Sequence, residues 1–224
     1  LWITDGTLSG THAATNFGFH APFGSISESQ YFQRVVTITG GGASFIATDG
    51  VHQNQLWRTD GEPSSTRPIA DLCHEYGCAD PWVETVAGRV LYAGVSAAGI
   101  EPTLTDASGM NPTVLADVCP GPCSSSPSSP QLLPSGRVLF FAHSSVFYSG
   151  LEYWLTAGAP STTFNLLHPA LDIPYIPGSA LETSDRILFA GQSPTLGTRL
   201  WQSTGEAASA TTVADFDDGA QSSD

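Results

Sequence analysis

The chain has 224 residues, with 21 acidic side chains against seven arginines and no lysine, so its net charge is −14. It offers no clustered cations for a phosphate backbone or an anionic membrane surface, which argues against nucleic acid and membrane as partners. Hydrophobic residues make up 41%, enough for a core, but only 12% are charged and Gly, Pro, Ser and Thr are plentiful; that mixture suits short strands joined by turns and suits long helices badly.

The first predicted element is Leu1-Trp2-Ile3-Thr4-Asp5-Gly6-Thr7, a short strand running into a turn where Asp-Gly accommodates positive φ. The motif returns as Leu56-Trp57-Arg58-Thr59-Asp60-Gly61 and, in weaker form, around Thr103, Trp154 and Trp201. From Trp2 onward the steps are 55, 46, 51 and 47 residues, a period that marks a repeat architecture. After each motif comes a strand ending in Ala-Asp (Ala70-Asp71, Ala116-Asp117, Ala214-Asp215). A loop rich in Gly, Pro, Ser and acids leads on to a third strand, a tight turn and the most apolar strand of the repeat. That last strand reads Arg89-Val90-Leu91-Tyr92-Ala93, Arg137-Val138-Leu139-Phe140-Phe141 and Arg186-Ile187-Leu188-Phe189-Ala190, with Ala43-Ser44-Phe45-Ile46-Ala47 as the first copy.

Four short strands per period predict a four-stranded antiparallel sheet that stacks both faces on its neighbours. The expected fold is all-β: a β-propeller built from blades of about 46–55 residues, with the apolar strand central in each. Full blades are expected near 25–72, 78–118, 127–168 and 178–216, and residues 1–20 supply only a partial blade. Both ends look cut with respect to the repeat, so the chain reads as a piece of a longer polypeptide whose other segments are candidate partners.

These residues resemble the ELWxxDGT-repeat family of secreted bacterial proteins. The two Trp-x-x-Asp-Gly copies at Trp2 and Trp57 carry the likeness, together with Ser124-Ser125-Ser126-Pro127 and Ser135-Gly136-Arg137-Val138-Leu139-Phe140-Phe141. The resemblance extends along the chain at the level of the repeat and implies a propeller-like protein, extracellular, at the cell surface or in a bacterial periplasm, with no established chemistry. Thr103 departs from the pattern at the Trp position, and Ala157 and Thr204 at the Asp position. Those losses argue against one repeated chemical task for the Asp.

Among candidate site residues, the tryptophans at repeat spacing are expected to fill seams between blades rather than stack on sugars. Trp82, in Asp80-Pro81-Trp82, lies off that register and is the one candidate for an exposed ligand platform. The Asp-Gly pairs at Asp5, Asp49 and Asp60 read as turns whose Asp bonds its own backbone, and the acidic run at Asp215, Asp217 and Asp218 as a solvated loop. Cys73 and Cys78, then Cys119 and Cys123, occupy the same loop in consecutive repeats. They fit two small-loop disulfides or a four-thiolate zinc site, to which His74 could add. The likeness to secreted proteins, with Pro120 and Pro122 suiting a closed loop, favours disulfides and hence no metal and no cofactor. No catalytic signature stands out. The functional expectation is therefore a non-enzymatic extracellular module that binds another protein or a cell-surface glycan. The alternatives are a lectin, or a polysaccharide hydrolase or lyase with acids in the propeller channel.

Overall fold

The computed structural model describes residues 2–4, 6–13, 35–37, 41–47, 52, 54–74, 77–79, 81–144, 151–167, 180–193 and 197–215. The predictions about Asp5, Asp49, Asp217 and Asp218 fall outside them. Two short strands come first, β1 (Trp2–Ile3) and β2 (His12–Ala13), paired as a ribbon. The first four-stranded sheet is β3 (Val35–Thr37), β4 (Ala43–Ala47), β5 (Gln55–Thr59) and β6 (Arg67–Asp71). A two-residue pair, β7 (Cys73–His74) with β8 (Gly77–Cys78), follows it.

The second sheet is β9 (Val83–Val86), β10 (Arg89–Ser96), β11 (Gly99–Leu104) and β12 (Thr113–Val114). The third is β13 (Ser128–Leu132), β14 (Val138–Ala142), β15 (Glu152–Thr156) and β16 (Thr163–Asn165). The fourth is β17 (Leu181–Glu182), β18 (Ile187–Ser193), β19 (Gly197–Ser203) and β20 (Thr211–Asp215). Each of the four is an antiparallel meander in chain order, with the apolar strand second and therefore paired on both sides. A strand buried on both faces can be apolar throughout, and Val138–Ala142 is buried at every position.

The sheets stack in a propeller-like succession. Strand β9 touches β3 and β4 on one side and β13 and β14 on the other, so first strands crowd together as inner strands do around an axis. Register puts the motif Trp, or its replacement, opposite an aromatic of the apolar strand: Phe45↔Trp57, Tyr92↔Thr103, Phe140↔Trp154, Phe189↔Trp201. This row faces the preceding sheet. Phe189 and Trp201 share a cluster with Leu139, Phe141, Tyr153 and Leu155 of the third sheet, and the Tyr153 and Phe189 rings lie 4.4 Å apart. Phe140 and Trp154 likewise meet Val118 and Ala116, which follow the second sheet.

Trp201 (3% exposed) is buried at the seam with the third sheet, and Trp57 (9%) is buried beside Phe45 and Ala47 of its own sheet, but Trp2 is 71% exposed. The expectation of a seam Trp in every repeat is corrected there. No sheet of the described residues lies against the face of the ribbon β1–β2 that carries Trp2. Among the described residues, β20 pairs with β19 and β1 with β2, and neither end completes the other's sheet. No helix of the described residues is long and apolar enough to cross a membrane.

Candidate functional site

The most organised surface feature is the loop that leaves the second sheet after β12. Leu115 is buried and its N–H bonds to the Pro102 carbonyl, which fixes the start of the loop. Cys119 and Cys123 then close five residues with a disulfide, leaving Pro120, Gly121 and Pro122 exposed at the tip. Beneath them lies Glu101 of β11, a carboxylate with no exposed surface. Its oxygens accept hydrogen bonds from the Val118 N–H (2.9 Å), the Ser125 N–H (3.1 Å) and the Ser125 hydroxyl (2.7 Å). Burial pushes the Glu101 carboxyl up from its ordinary pKa, and these hydrogen bonds pull part of that shift back.

Further contacts tie the loop down at both ends. The Ile100 N–H donates to the Ser124 hydroxyl at 3.0 Å, and the His143 N–H donates to the Ser125 carbonyl at 2.8 Å. Gly99 sits at φ +94°, and a Cβ there would run into the Cys123 carbonyl. That glycine is therefore required by the close approach of the loop backbone.

Trp82 corrects the sequence reading. It is 8% exposed, packed in the core of the first and second sheets, and its Nε1–H donates to the Pro127 carbonyl at 2.7 Å. A ring with an apolar body and one donor is satisfied when the body enters the core and the N–H finds a carbonyl. Trp82 thus braces the strand entering the third sheet and is no exposed platform.

Cys73 and Cys78 face each other across β7–β8 and form the other disulfide, with Cα atoms 3.9 Å apart; those of Cys119 and Cys123 are 5.3 Å apart. No free cysteine remains. With all four sulfurs bonded in pairs, they do not form the four-thiolate set that zinc requires.

The Asp-Gly turns depend on a residue the sequence reading passed over. Two positions after each motif Trp stands a hydroxyl: Thr4, Thr59, Thr156 and Ser203. Each accepts the N–H of the positive-φ glycine two residues on, at 2.9–3.0 Å. Each also bonds a hydroxyl at or just before the start of the next strand, Thr11, Thr66, Thr163 and Ser209, at 2.7–2.8 Å. Asp60 adds an outer layer, accepting from the Glu62 N–H at 3.1 Å and from the Ser65 hydroxyl. The hydroxyl persists where Ala157 and Thr204 replace the Asp, and that regularity was visible in the alignment of repeats. In the second sheet Asp106 does the work instead, accepting from Ser108, Met110 and Asn111. The Ser108 hydroxyl, then Asn111 and Met110, draw its carboxyl down to about 2.

No protein-family model matches the chain, and no curated protein matches it. Among solved structures it is similar to puromycin hydrolase, at a TM-score of 0.50 and 13% identity, over 84% of this chain and 30% of that one. Oligopeptidase B from Leishmania major (0.48, 15%, 76% and 24%) and a puromycin-hydrolyzing peptidase of Mycobacterium tuberculosis (0.47, 12%, 85% and 30%) are also similar. The matched portions are β-propeller domains of prolyl oligopeptidase-family proteins. At 13% identity the first likeness speaks to the fold alone, and the chain spans less than a third of each of those proteins. The class defined is thus an all-β, propeller-type stack of four-stranded sheets.

Proposed function

We propose that this chain is a non-enzymatic extracellular interaction module that presents its disulfide-closed loop to a partner protein or cell-surface glycan. The observation that carries the reading is the contrast within residues 117–125. The tip at Pro120, Gly121 and Pro122 is exposed, whereas its foundation, Glu101, is fully buried and bonded to the loop backbone. A loop held in one shape before it meets a partner loses less entropy on binding, which is the use of such rigidity. Two disulfides suit an oxidising compartment, and the likeness of Leu56-Trp57-Arg58-Thr59-Asp60-Gly61 to the ELWxxDGT repeat supports secretion. The lectin reading has lost Trp82 as its platform.

Binding of the labelled 224-residue protein to intact bacterial cells and to a glycan array tests this. Loss of binding in a Cys119→Ser/Cys123→Ser double variant and in Pro120→Ala/Pro122→Ala is the expected result. Undiminished binding by both variants would remove the loop from the function. Selective binding of one sugar would favour the lectin, and turnover of a peptide or polysaccharide would make the chain an enzyme.

A further inference from the structure

Two residues ahead of the motif Trp, or of its replacement, the four sheets carry Gln55, Glu101, Glu152 and Arg199. Alternation along a strand puts each of them on the same face as that Trp. In the second sheet this residue, Glu101, is sealed beneath the disulfide-closed loop with no exposed surface. Its counterpart in the third sheet, Glu152, is half-buried, and so is the Trp154 ring beside it. Trp57 and Trp201, by contrast, are 9% and 3% exposed. The difference lies in what the preceding sheet supplies. Trp201 meets the large Phe141 and Tyr153, whereas Trp154 meets the smaller Ala116 and Val118 that follow the second sheet. Part of the Trp154 indole is left open to solvent.

Glu152 holds that indole in one orientation. Its Oε2 accepts the Trp154 Nε1–H at 3.1 Å and an Asn165 amide hydrogen at 2.9 Å, and its Oε1 accepts the Ser144 hydroxyl. Asn165 lies opposite Trp154 in register, and its Oδ1 accepts the Leu167 N–H at 2.8 Å, so the amide is fixed as well. A carboxylate has about four acceptor sites, and a carboxamide has two donors and two acceptors. Glu152 therefore keeps an acceptor site, Asn165 keeps a donor and an acceptor, and the exposed Ser144 hydroxyl keeps its lone pairs. These open valences surround the edge of a half-exposed ring. The cluster also adjoins the disulfide-closed loop: Trp154 packs with Val118, next to Cys119, and the His143 N–H, next to Ser144, bonds the Ser125 carbonyl at 2.8 Å.

We propose that Trp154, Glu152, Asn165 and Ser144 form a shallow binding site for a neutral sugar residue of a cell-surface glycan. A pyranose ring presents C–H groups on one face, and these are drawn to the negative face of an indole. Hydroxyls around its rim both donate and accept, which matches the mixed open valences of Glu152, Asn165 and Ser144. Glu152 and a net charge of −14 disfavour carboxylated or sulfated sugars. The proposal deepens the interaction-module reading and rests on it, naming the glycan as the partner and placing it beside the disulfide-closed loop.

Hydroxyl-radical footprinting of the 224-residue protein, read by mass spectrometry, tests it with neutral oligosaccharides of glucose, galactose and mannose as probes. At least one should protect Trp154 while Trp2, 71% exposed, reacts as before. An oligosaccharide of glucuronic acid should protect far less. Trp154→Ala should weaken binding of the protecting sugar by about tenfold or more, as loss of an aromatic anchor does. Glu152→Gln, which keeps the size of the side chain, should weaken it as well, with near-ultraviolet circular dichroism showing each variant folded. Footprinting of the unaltered protein needs no variant, so it decides the matter even where Trp154→Ala fails to fold. No protection of Trp154 by any of these neutral sugars, or equal protection by the acidic one, overturns the proposal. Cell binding that Trp154→Ala abolishes but no sugar competes would assign the site to a protein and overturn it equally. Loss of cell binding in the loop variants with Trp154 unprotected sinks this site and leaves the loop reading intact. Protection of Trp154 in a protein whose cell binding ignores the loop supports the site and sinks the loop reading.

Discussion

At the scale of single residues, the turn hydroxyls and Glu101 carry the most structural consequence. Thr156 has no exposed surface, and its hydroxyl serves both the Gly158 N–H and Thr163. Thr156→Ala leaves a buried donor unsatisfied and should cost about 1–3 kcal/mol in a urea titration. Asp60→Ala, which removes exposed bonds alone, should shift the midpoint far less; a larger loss from Asp60 would return the turn to the Asp. Glu101 has a signature in pH. Its folded carboxyl is raised above its unfolded value, chiefly by burial, so the folded state binds the proton more readily. That contribution is fully present below the unfolded pKa and is lost as pH rises through the raised one. Stability measured across this window should carry that downward step with rising pH, and Glu101→Gln should lack it. A variant whose pH profile parallels the parent would show that Glu101 does not titrate there.

At the scale of elements, the repeat holds together through turns that serve two masters. Gly205 must take φ +80° to close its own hairpin, and its carbonyl receives Arg137 from the sheet before. A Cβ at this position would lie 2.5 Å from the Arg137 guanidinium, so Gly205→Ala should destabilise by roughly 1–3 kcal/mol through strain and loss of the clamp. Gly6→Ala has the same φ penalty with nothing within 4 Å, and should cost less in the same thermal melt. Equal losses at the two glycines would show that the clamp contributes nothing. The arginines were legible as a recurrent residue ahead of the apolar strand, but their partners were not. A side chain reaching a carbonyl 68 residues away leaves no trace in a local pattern. The first sheet shows the looseness of that code: Gly42 stands where the arginine would, and Arg58 from the neighbouring strand replaces it, its guanidinium 3.6 Å from where a Gly42 Cβ would be.

At the scale of the whole molecule, the tryptophan row separates paired from unpaired faces. Trp201→Ala empties a seam packed by the third sheet and should cost about 3–5 kcal/mol, as large-to-small core changes do. Trp2→Ala should leave monomer stability nearly unchanged in the same denaturation experiment, since Trp2 is 71% exposed. A comparable loss at Trp2 would mean that the ribbon is covered in solution.

The sequence by itself determined the all-β class, the period, the four strands of each sheet and which strand lies inside. Those follow from spacing two or about fifty residues apart, and spacing is what a chain records. It also brought the cysteines together in pairs four and five residues apart, close enough that the chain could hardly separate them. Only the tertiary structure decided that Trp82 turns inward to Pro127 and that Glu101 underpins a loop more than 15 residues away. It alone distinguished the buried tryptophans from Trp2. The same indole in nearly the same local sequence is core or surface according to whether another sheet lies against it, and burial is a property of neighbours brought together by folding.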